Sequence, residues 1–424
     1  MPHIRPSVEH AHHGLERRNA LIAAAEPLPE IDDPAFGARF DRFGDARVVL
    51  LGAAAEGASE FFRARAAITR WLVEKRGFQV VALDADSADA RTFDERVRGE
   101  TGQGPPAASW AWRNREFETF LAGLADHNAA RRPGDRVSVH GLDLHDLAFS
   151  MRMVVGHLDR IDAGCGRLAR SRYGGLDPWA QEPGRMNITG RYAGCEATVT
   201  EMLREALRQR IEDAAAGEHP VADTETAERM LGEAEAYYRA MYYGGADAWN
   251  LRETHLFRRL KALLDDRGPD ARAVVWGHNA SVGDARATEM GLARDALSLG
   301  QLCREEWGAA ARLIGFGCDH GAIGCAAGAD GPMEVKSLRP ALAGSHERSS
   351  HDAGLSRFLL DLRAGTARHA GRPLAEAALE RFVGAAYHPD SERQSHYAEC
   401  RLGEQYDGWV WFDETTAVTP SAAR

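Results

Sequence analysis

The stretch RVVLLG at Arg47–Gly52 decides the fold, because a short apolar run closed by a glycine is typical of a buried strand. The next segment, Glu60–Arg76, repeats its apolar residues at three-to-four spacing, which predicts a helix that ends at Gly77. A second apolar run, FQVVALD at Phe78–Asp84, follows at once. Strand, helix and strand in this order predict a βαβ unit, the building block of a parallel sheet.

Further apolar runs extend this pattern along the chain. Five of them predict additional strands: Arg136–His140, Arg272–Trp276, Arg312–Gly317, Phe382–Tyr387 and Trp409–Phe412. Most are continuously apolar rather than alternating, as expected when helices cover both faces of a sheet. The sequence therefore predicts an α/β fold with a central, mostly parallel sheet flanked by helices.

The middle of the chain has a different pattern, with long segments rich in Glu, Arg and Ala and no predicted strand. We predict a helical segment at 1–35, the first half of the α/β core at 36–150, a helical insertion at 151–265 and the second half of the core at 266–424. The insertion, with helices at Thr198–Ala216 and Thr224–Tyr243, is expected to cover the site cleft. The alternative is a packing subdomain without a role in the site. A further surface helix is predicted at Gly365–Glu380.

Composition excludes several classes of partner. The 424 residues carry 52 Lys and Arg against 63 Asp and Glu, a formal charge of −11, so nucleic acid is not an expected partner. The six cysteines are scattered and form no CxxC pair, which favours a reducing compartment. The sequence shows no signal peptide and no apolar run of eighteen residues that could span a membrane. We therefore expect a cytoplasmic protein that does not bind membranes; the sequence leaves its oligomeric state open.

The common catalytic and cofactor motifs are missing. The sequence contains no GxSxG, HExxH, GxGxxG or GxxxxGK[ST] pattern, so we expect neither a nucleophile elbow nor a bound cofactor. A metal site built from Asp143, His145 and His278 lacks diagnostic spacing, and no metal is expected.

Acidic residues and histidines instead recur just after the predicted strands. In an open α/β sheet, ligands bind outside the carboxyl ends of the strands, so these residues are expected to share one rim. They are Glu56 after the first strand, Asp84 after the second, Asp143 and His145 after the third, His278 and Ser281 after the fourth, and Asp319 and His320 after the fifth. Such a rim is suited to general acid/base chemistry.

Together these residues resemble the erythromycin esterase family, whose first motif reads L-G-E-x-x-H-G followed by E-F-F and an arginine. The resemblance runs from about Val48 to Thr415. Its motifs are Val48–Gly57, Glu60–Arg65, Leu83–Asp86, Gly141–Leu144, Trp249–Arg252, Trp276–Asn279, Val282–Met290, Gly331–Lys336, Glu392–Tyr397 and Phe412–Thr415. It implies an α/β core with a helical part around a deep cleft, and relatives that open macrolactone esters with an activated water.

The departures from this family concern its proton-transfer residues. Ala53 stands where the family has its first glutamate, and Glu56 stands where it has the histidine thought to be the general base. Asp84 replaces the next family glutamate, and Ser281 replaces the second histidine of the family's H-N-S-H motif. A free glutamate is a weaker base than histidine by about two pKa units, so the site is rewritten rather than merely varied.

The candidate catalytic residues are Glu56, Asp84, His278 and His140. His278 and Arg65 are the family residues that are kept, and His140 and His145 stand where the family tends to have aromatic residues. The candidate substrate-binding residues are Arg65, His145, Ser281, Asp143, Trp249 and His320.

These residues suggest an esterase-like enzyme repurposed to modify a bulky, apolar, polyketide-like small molecule. Loss of the water-activating histidine favours a non-hydrolytic step, such as cyclisation, elimination or isomerisation. Two alternatives stay open: a hydrolase of macrolide-like esters or lactones, and an inactive pseudo-esterase that binds a small molecule.

Overall fold

The structure is a computed structural model that describes residues 8–100, 109–143, 246–326, 333–363 and 376–421. The helices predicted at Thr198–Ala216 and Thr224–Tyr243, and most of the predicted insertion, lie outside these residues.

Eleven strands are found in the described residues. They are β1 Glu26–Pro27, β2 Val48–Leu51, β3 Val80–Asp86, β4 Ser138–Asp143, β5 Ala273–Trp276, β6 Ala311–Ala326, β7 Met333–Leu338, β8 Arg357–Asp361, β9 Ala378–Arg381, β10 Tyr397–Cys400 and β11 Gly408–Thr415. Six of the seven predicted strands match an observed strand to within a few residues, except that β6 is much longer than predicted.

The helices of the same residues lie between these strands. They are α1 Val8–Ala24, α2 Ala35–Ala38, α3 Ser59–Arg76, α4 Ser87–Arg98, α5 Arg115–Ala129, α6 Ala246–Arg267, α7 Asn279–Val282, α8 Glu289–Arg294, α9 Leu299–Trp307, α10 His346–Asp352, α11 Glu392–Ser395 and α12 Leu402–Gln405. The predicted helix after the first strand is confirmed as α3, which ends at Gly77 with a left-handed φ of 70°.

The main sheet has the strand order β1-β8-β11-β6-β2-β5-β3-β4, and β7 pairs with the far end of β6. The five strand pairs from β11 to β4 are parallel, whereas β1, β7 and β8 pair antiparallel to their neighbours. Strands β9 and β10 form a separate antiparallel pair. The predicted fold class, α/β with a central and mostly parallel sheet, is confirmed.

Both faces of the sheet are covered, which explains the unbroken apolar runs. Within β2, Val49 and Leu51 belong to the core under α3 and α5, whereas Val48 and Leu50 belong to the core under α6. Every residue of β2 is fully buried. Alternate side chains of one short strand thus pack into two separate cores, and neither face has room for a polar residue.

Two predictions for the carboxyl-terminal part are wrong. Phe382–Tyr387 is not a strand; the strand is Ala378–Arg381, directly before it. The apolar character of the segment has another cause, since Val383 is buried where it pairs with the loop after β2. The predicted helix Gly365–Glu380 is also wrong at its end, because its last residues form β9, while 364–375 lie outside the described residues. In the described part of the chain, no helix is both long enough and apolar enough to cross a membrane.

Candidate functional site

The loop after β2 carries Glu56 and is fixed by backbone hydrogen bonds on both sides. The Val383 amide donates to the Ala54 carbonyl at 2.7 Å, and the Val383 carbonyl accepts from the Glu56 amide at 3.3 Å. The Gly57 carbonyl accepts from Gly324 of β6 at 2.9 Å. Glu56 is partly exposed within this buried loop. It is therefore held at the carboxyl end of β2, where an open α/β sheet binds its ligands.

Arg65 projects from α3 beneath this loop and is almost completely buried, at 4% exposure. Its guanidinium carbon lies 4.6 Å from the ring centre of Phe62 and 4.9 Å from that of Trp276. Burial lowers the pKa of Arg65 to about 9, and the charge of Glu56 opposes the shift. Its Nε has no hydrogen-bond partner among the described residues. The Nε–H of this buried guanidinium is therefore available to donate to an anion or a carbonyl oxygen.

His278 caps the amino end of α7. Its Nδ1 accepts a hydrogen bond from the Ala280 amide at 3.3 Å, and its Nε2 is buried without a partner of hydrogen-bonding geometry in the described residues. Burial lowers the pKa of His278 to about 4; the backbone groups of Val383 and Ala54 oppose this shift, and the charge of Arg65 adds to it. The ring is therefore neutral at neutral pH.

The cap also selects the tautomer of this neutral ring. Because Nδ1 of His278 accepts from a backbone N–H, the ring proton is assigned to Nε2. Nε2 is then a hydrogen-bond donor rather than a base.

A second group of predicted residues is gathered by Arg252 of α6. Its guanidinium pairs with Asp84, donates through Nε to Asp143 Oδ2 at 2.9 Å and contacts Glu253 Oε1 at 3.0 Å. Asp84 is thereby held by the same arginine as Asp143. It lies beside the strand end that carries His278, since a Cβ placed on Gly277 would be 4.0 Å from Asp84 Oδ2.

Glu253 is fully buried and connects this group to Ser281. The Ser281 hydroxyl donates to Glu253 Oε2 at 2.5 Å, and the Leu299 amide donates to the same oxygen at 2.8 Å. Burial raises the pKa of Glu253 to about 7, and the charge of Arg252 opposes this rise. A carboxyl group thus titrates near neutrality at the position where the family's second histidine is missing.

A buried polar network supports the other side of His278. Where β2 diverges from β6, the Asn279 side chain donates to the Phe316 carbonyl at 2.8 Å and accepts from the Phe316 amide at 3.2 Å. Its Nδ2 also lies 3.2 Å from Glu380 Oε1, which accepts from the Tyr406 hydroxyl at 2.8 Å. Burial raises the pKa of Glu380 to about 8. Gly52 is required here, since a Cβ would lie 2.2 Å from Asn279 Oδ1.

The remaining described candidates, His140, Trp249 and His320, have other partners. His140 lies within β4 with its Nε2 2.7 Å from the Ser138 hydroxyl, and burial, with the charge of Arg267, lowers its pKa to about 4. Trp249 uses its indole N–H to bond the Leu297 carbonyl at 2.7 Å. His320 contacts Asp319 in the middle of the long strand β6 rather than at a strand end. His145 lies outside the described residues.

Sequence reasoning missed three residues that organise the site: Arg252, Glu253 and Glu380. Arg252 is the last residue of the motif at Trp249–Arg252 and Glu253 follows it directly, so a charged pair at the end of that motif was the available indication. Glu380 had none, because it lay within a segment interpreted as a surface helix.

Comparisons with known proteins agree with this architecture. The sequence pattern of the family described as erythromycin esterase matches residues 73–415. A crystal structure of a Bacillus cereus protein has a TM-score of 0.69 and 18% identity, covering 96% of this chain and 99% of that one. A protein named for succinoglycan biosynthesis has a TM-score of 0.65 and 18% identity, covering 99% and 100%.

A variant of the erythromycin esterase EreC, in its open conformation, has a TM-score of 0.59 and 15% identity, covering 94% of this chain and 99% of that one. At such low identities, the three structures show a shared fold and no more. The matched pattern begins after Glu56 and Arg65, so it covers His278 but not the rewritten first loop. Since it nevertheless spans most of the sequence, the chain belongs to the erythromycin esterase family.

Proposed function

We propose that the chain is an acid/base enzyme that modifies a bulky, polyketide-like small molecule by a non-hydrolytic step, namely cyclisation, elimination or isomerisation. The observation that carries the proposal is the grouping of two buried side chains, Arg65 and neutral His278, with Glu56, whose charge acts on Arg65. Hydrolysis in the family relies on a histidine base in the first loop, and the first loop of this chain has none.

The roles follow from the chemistry of these groups. Arg65 and neutral His278 donate hydrogen bonds to a substrate carbonyl oxygen and stabilise the negative charge that develops there. The carboxylate of Glu56 removes a proton from the adjacent carbon. The resulting enolate regains the proton at another carbon, expels a leaving group or closes a ring. Fixed donors of this kind contribute most when they are held in a dry environment before the reaction begins, as Arg65 is here.

Product mass and isotope exchange test the proposal. A panel of macrolides, linear polyketide esters and their hydroxy acids is incubated in deuterated water, and products are analysed by mass spectrometry and NMR. We expect deuterium at the carbon next to a carbonyl, with product masses that otherwise show an unchanged formula or the loss of a small leaving group.

Glu56→Gln is expected to lower kcat by about 10²–10⁴-fold. Glu74→Gln is the matched control, because Glu74 is exposed on the same helix as Arg65, and its activity should stay at the wild-type level. Unchanged turnover by Glu56→Gln would refute the assigned base.

A second candidate function is hydrolysis of a macrolide-like ester, which family membership and retention of His278 favour. A product heavier by one water, formed without deuterium at carbon, would establish the hydrolase and exclude the non-hydrolytic step. Tight binding of a panel member without turnover would instead identify a silent binding protein.

A further inference from the structure

We infer that the chain binds one divalent metal ion of the zinc class at a site separate from the proposed acid/base site. Its ligands would be Asp319 and His320 of β6, His351 of α10 and Asp413 of β11. Three elements that are distant in the sequence bring these four side chains together. The partners described above for Arg65 and His278 do not belong to this cluster.

The distances between ligand atoms suit a small ion. Asp319 Oδ2 lies 3.1 Å from His320 Nδ1 and 3.7 Å from His351 Nδ1. His351 Nδ1 is hydrogen-bonded to Asp413 Oδ1 at 2.7 Å, a contact that must lengthen for both atoms to bind one ion. One ligand atom from each of Asp319, His320 and His351 falls within 4.8 Å of the others. Zinc bonds of about 2.0–2.1 Å in a tetrahedron separate neighbouring ligand atoms by about 3.3 Å, so small movements of the side chains complete the geometry.

The buried member of the cluster is oriented by contacts on its other oxygen. Asp319 is 1% exposed, and its Oδ1 accepts from the Ala341 amide at 3.2 Å and lies 3.4 Å from Arg348. Oδ2 is therefore the oxygen that faces the two imidazoles. Contacts of this kind on a ligating carboxylate are usual around metal ions and fix the direction of its free oxygen.

The charge and composition of the cluster select the kind of ion. Two carboxylates and Arg348 leave a net charge of −1 when both histidines are neutral, which favours a divalent cation. Two imidazole nitrogens with two carboxylate oxygens suit zinc better than calcium or magnesium, which prefer all-oxygen sites. His320 and His351 are about one third exposed, so the ion has a path from solvent.

A bound ion would join α10 to β6 and β11 and so stabilise the folded chain. The inference can therefore be tested by measuring both the number of bound ions and the thermal stability. Chelator-treated protein is titrated with zinc alone by calorimetry, and bound zinc is measured after gel filtration. We expect one ion per chain and a Tm that rises with zinc concentration, since β6, α10 and β11 bring the ligands together only in the folded state.

His351→Gln and His320→Gln are each expected to lose this zinc and the Tm rise while keeping the wild-type circular dichroism spectrum. A variant with His10, His12 and His13 all changed to Gln is the control, because these closely spaced histidines could bind zinc by themselves. It should retain one ion. The inference is overturned if wild type holds well under one zinc per chain, or if the triple variant loses the ion while His351→Gln keeps it. Neither result bears on the proposed role of Glu56.

Discussion

Replacing Asn279 with alanine would test how the site is fixed to the sheet. Asn279 is fully buried and satisfies both the amide and the carbonyl of Phe316, at the point where β2 no longer pairs with β6. Alanine leaves these two backbone groups without partners and without access to water. Each stranded group costs about 1–3 kcal/mol, so the free energy of unfolding should fall by about 2–6 kcal/mol.

The chain offers a matched control in Asn250 of α6. Its side chain also makes two backbone hydrogen bonds, to the Asp295 carbonyl at 2.9 Å and from the Leu297 amide at 2.7 Å. Asn250 is only partly buried, so water can replace the lost partner, and alanine gains helix propensity. We expect Asn250→Ala to cost less than about 2 kcal/mol.

Urea unfolding followed by circular dichroism measures both changes by linear extrapolation. Asn128→Ala is a second buried comparison, because Asn128 bonds the carbonyls of Val97 and Val137 at 2.9 and 2.8 Å and should cost as much as Asn279→Ala. If Asn279→Ala destabilised the protein no more than Asn250→Ala does, burial would not be the reason for the cost and the reasoning would fail.

Three further predictions concern the site loop and the buried titratable groups. Gly57→Ala places a Cβ 1.9 Å from the Gly324 carbonyl oxygen and should displace the loop and abolish activity. Gly384→Ala is the control, because its Cβ meets no atom within 4 Å and activity should be retained. Equal activities in the two variants would contradict this prediction. Burial raises the pKa of Glu380 from 4.5 to about 8, so between these pH values the folded state holds a proton that the unfolded state releases. The free energy of unfolding should therefore fall as the pH rises from 4.5 to about 8. Glu380→Gln should flatten this dependence in urea melts, and an unchanged slope would exclude Glu380 as its source. Burial lowers the pKa of His346 from 6.5 to about 3, so stability should be lost as pH falls through that range, and thermal melts of His346→Gln should show a smaller loss.

Much of the core could be predicted because its strands are locally encoded. Runs such as Val48–Leu51 are apolar at every position, since alternate side chains enter two different cores. The edge of the sheet was harder to predict: Arg357–Asp361 pairs antiparallel at the periphery, and its apolar run is only three residues long. For Phe382–Tyr387 the error was the reverse, since a strand was predicted where none exists. The segment is apolar because Val383 is buried against the loop after β2.

The site was predicted in part for a comparable reason. Position after a strand correctly placed Glu56 and His278, because the carboxyl ends of parallel strands share an edge. It could not reveal that Asp84 and Asp143 pair with Arg252, since that arginine comes from a helix far away in the sequence. Long-range ion pairs of this kind depend on the packing of whole elements, which no local pattern records.

The strand order has a consequence for how the protein is made. Strand β5 lies between β2 and β3, although it follows β3 by roughly 190 residues in the chain. At about 5–20 residues per second, a ribosome needs on the order of 10–40 s to supply it. Until β5 is made, β2 and β3 lack the strand that lies between them, and their edges on that side stay unpaired. The amino-terminal βαβ unit is therefore not an early folding nucleus. A nascent chain of this length is expected to need chaperones, and fragments that end before Trp276 should aggregate.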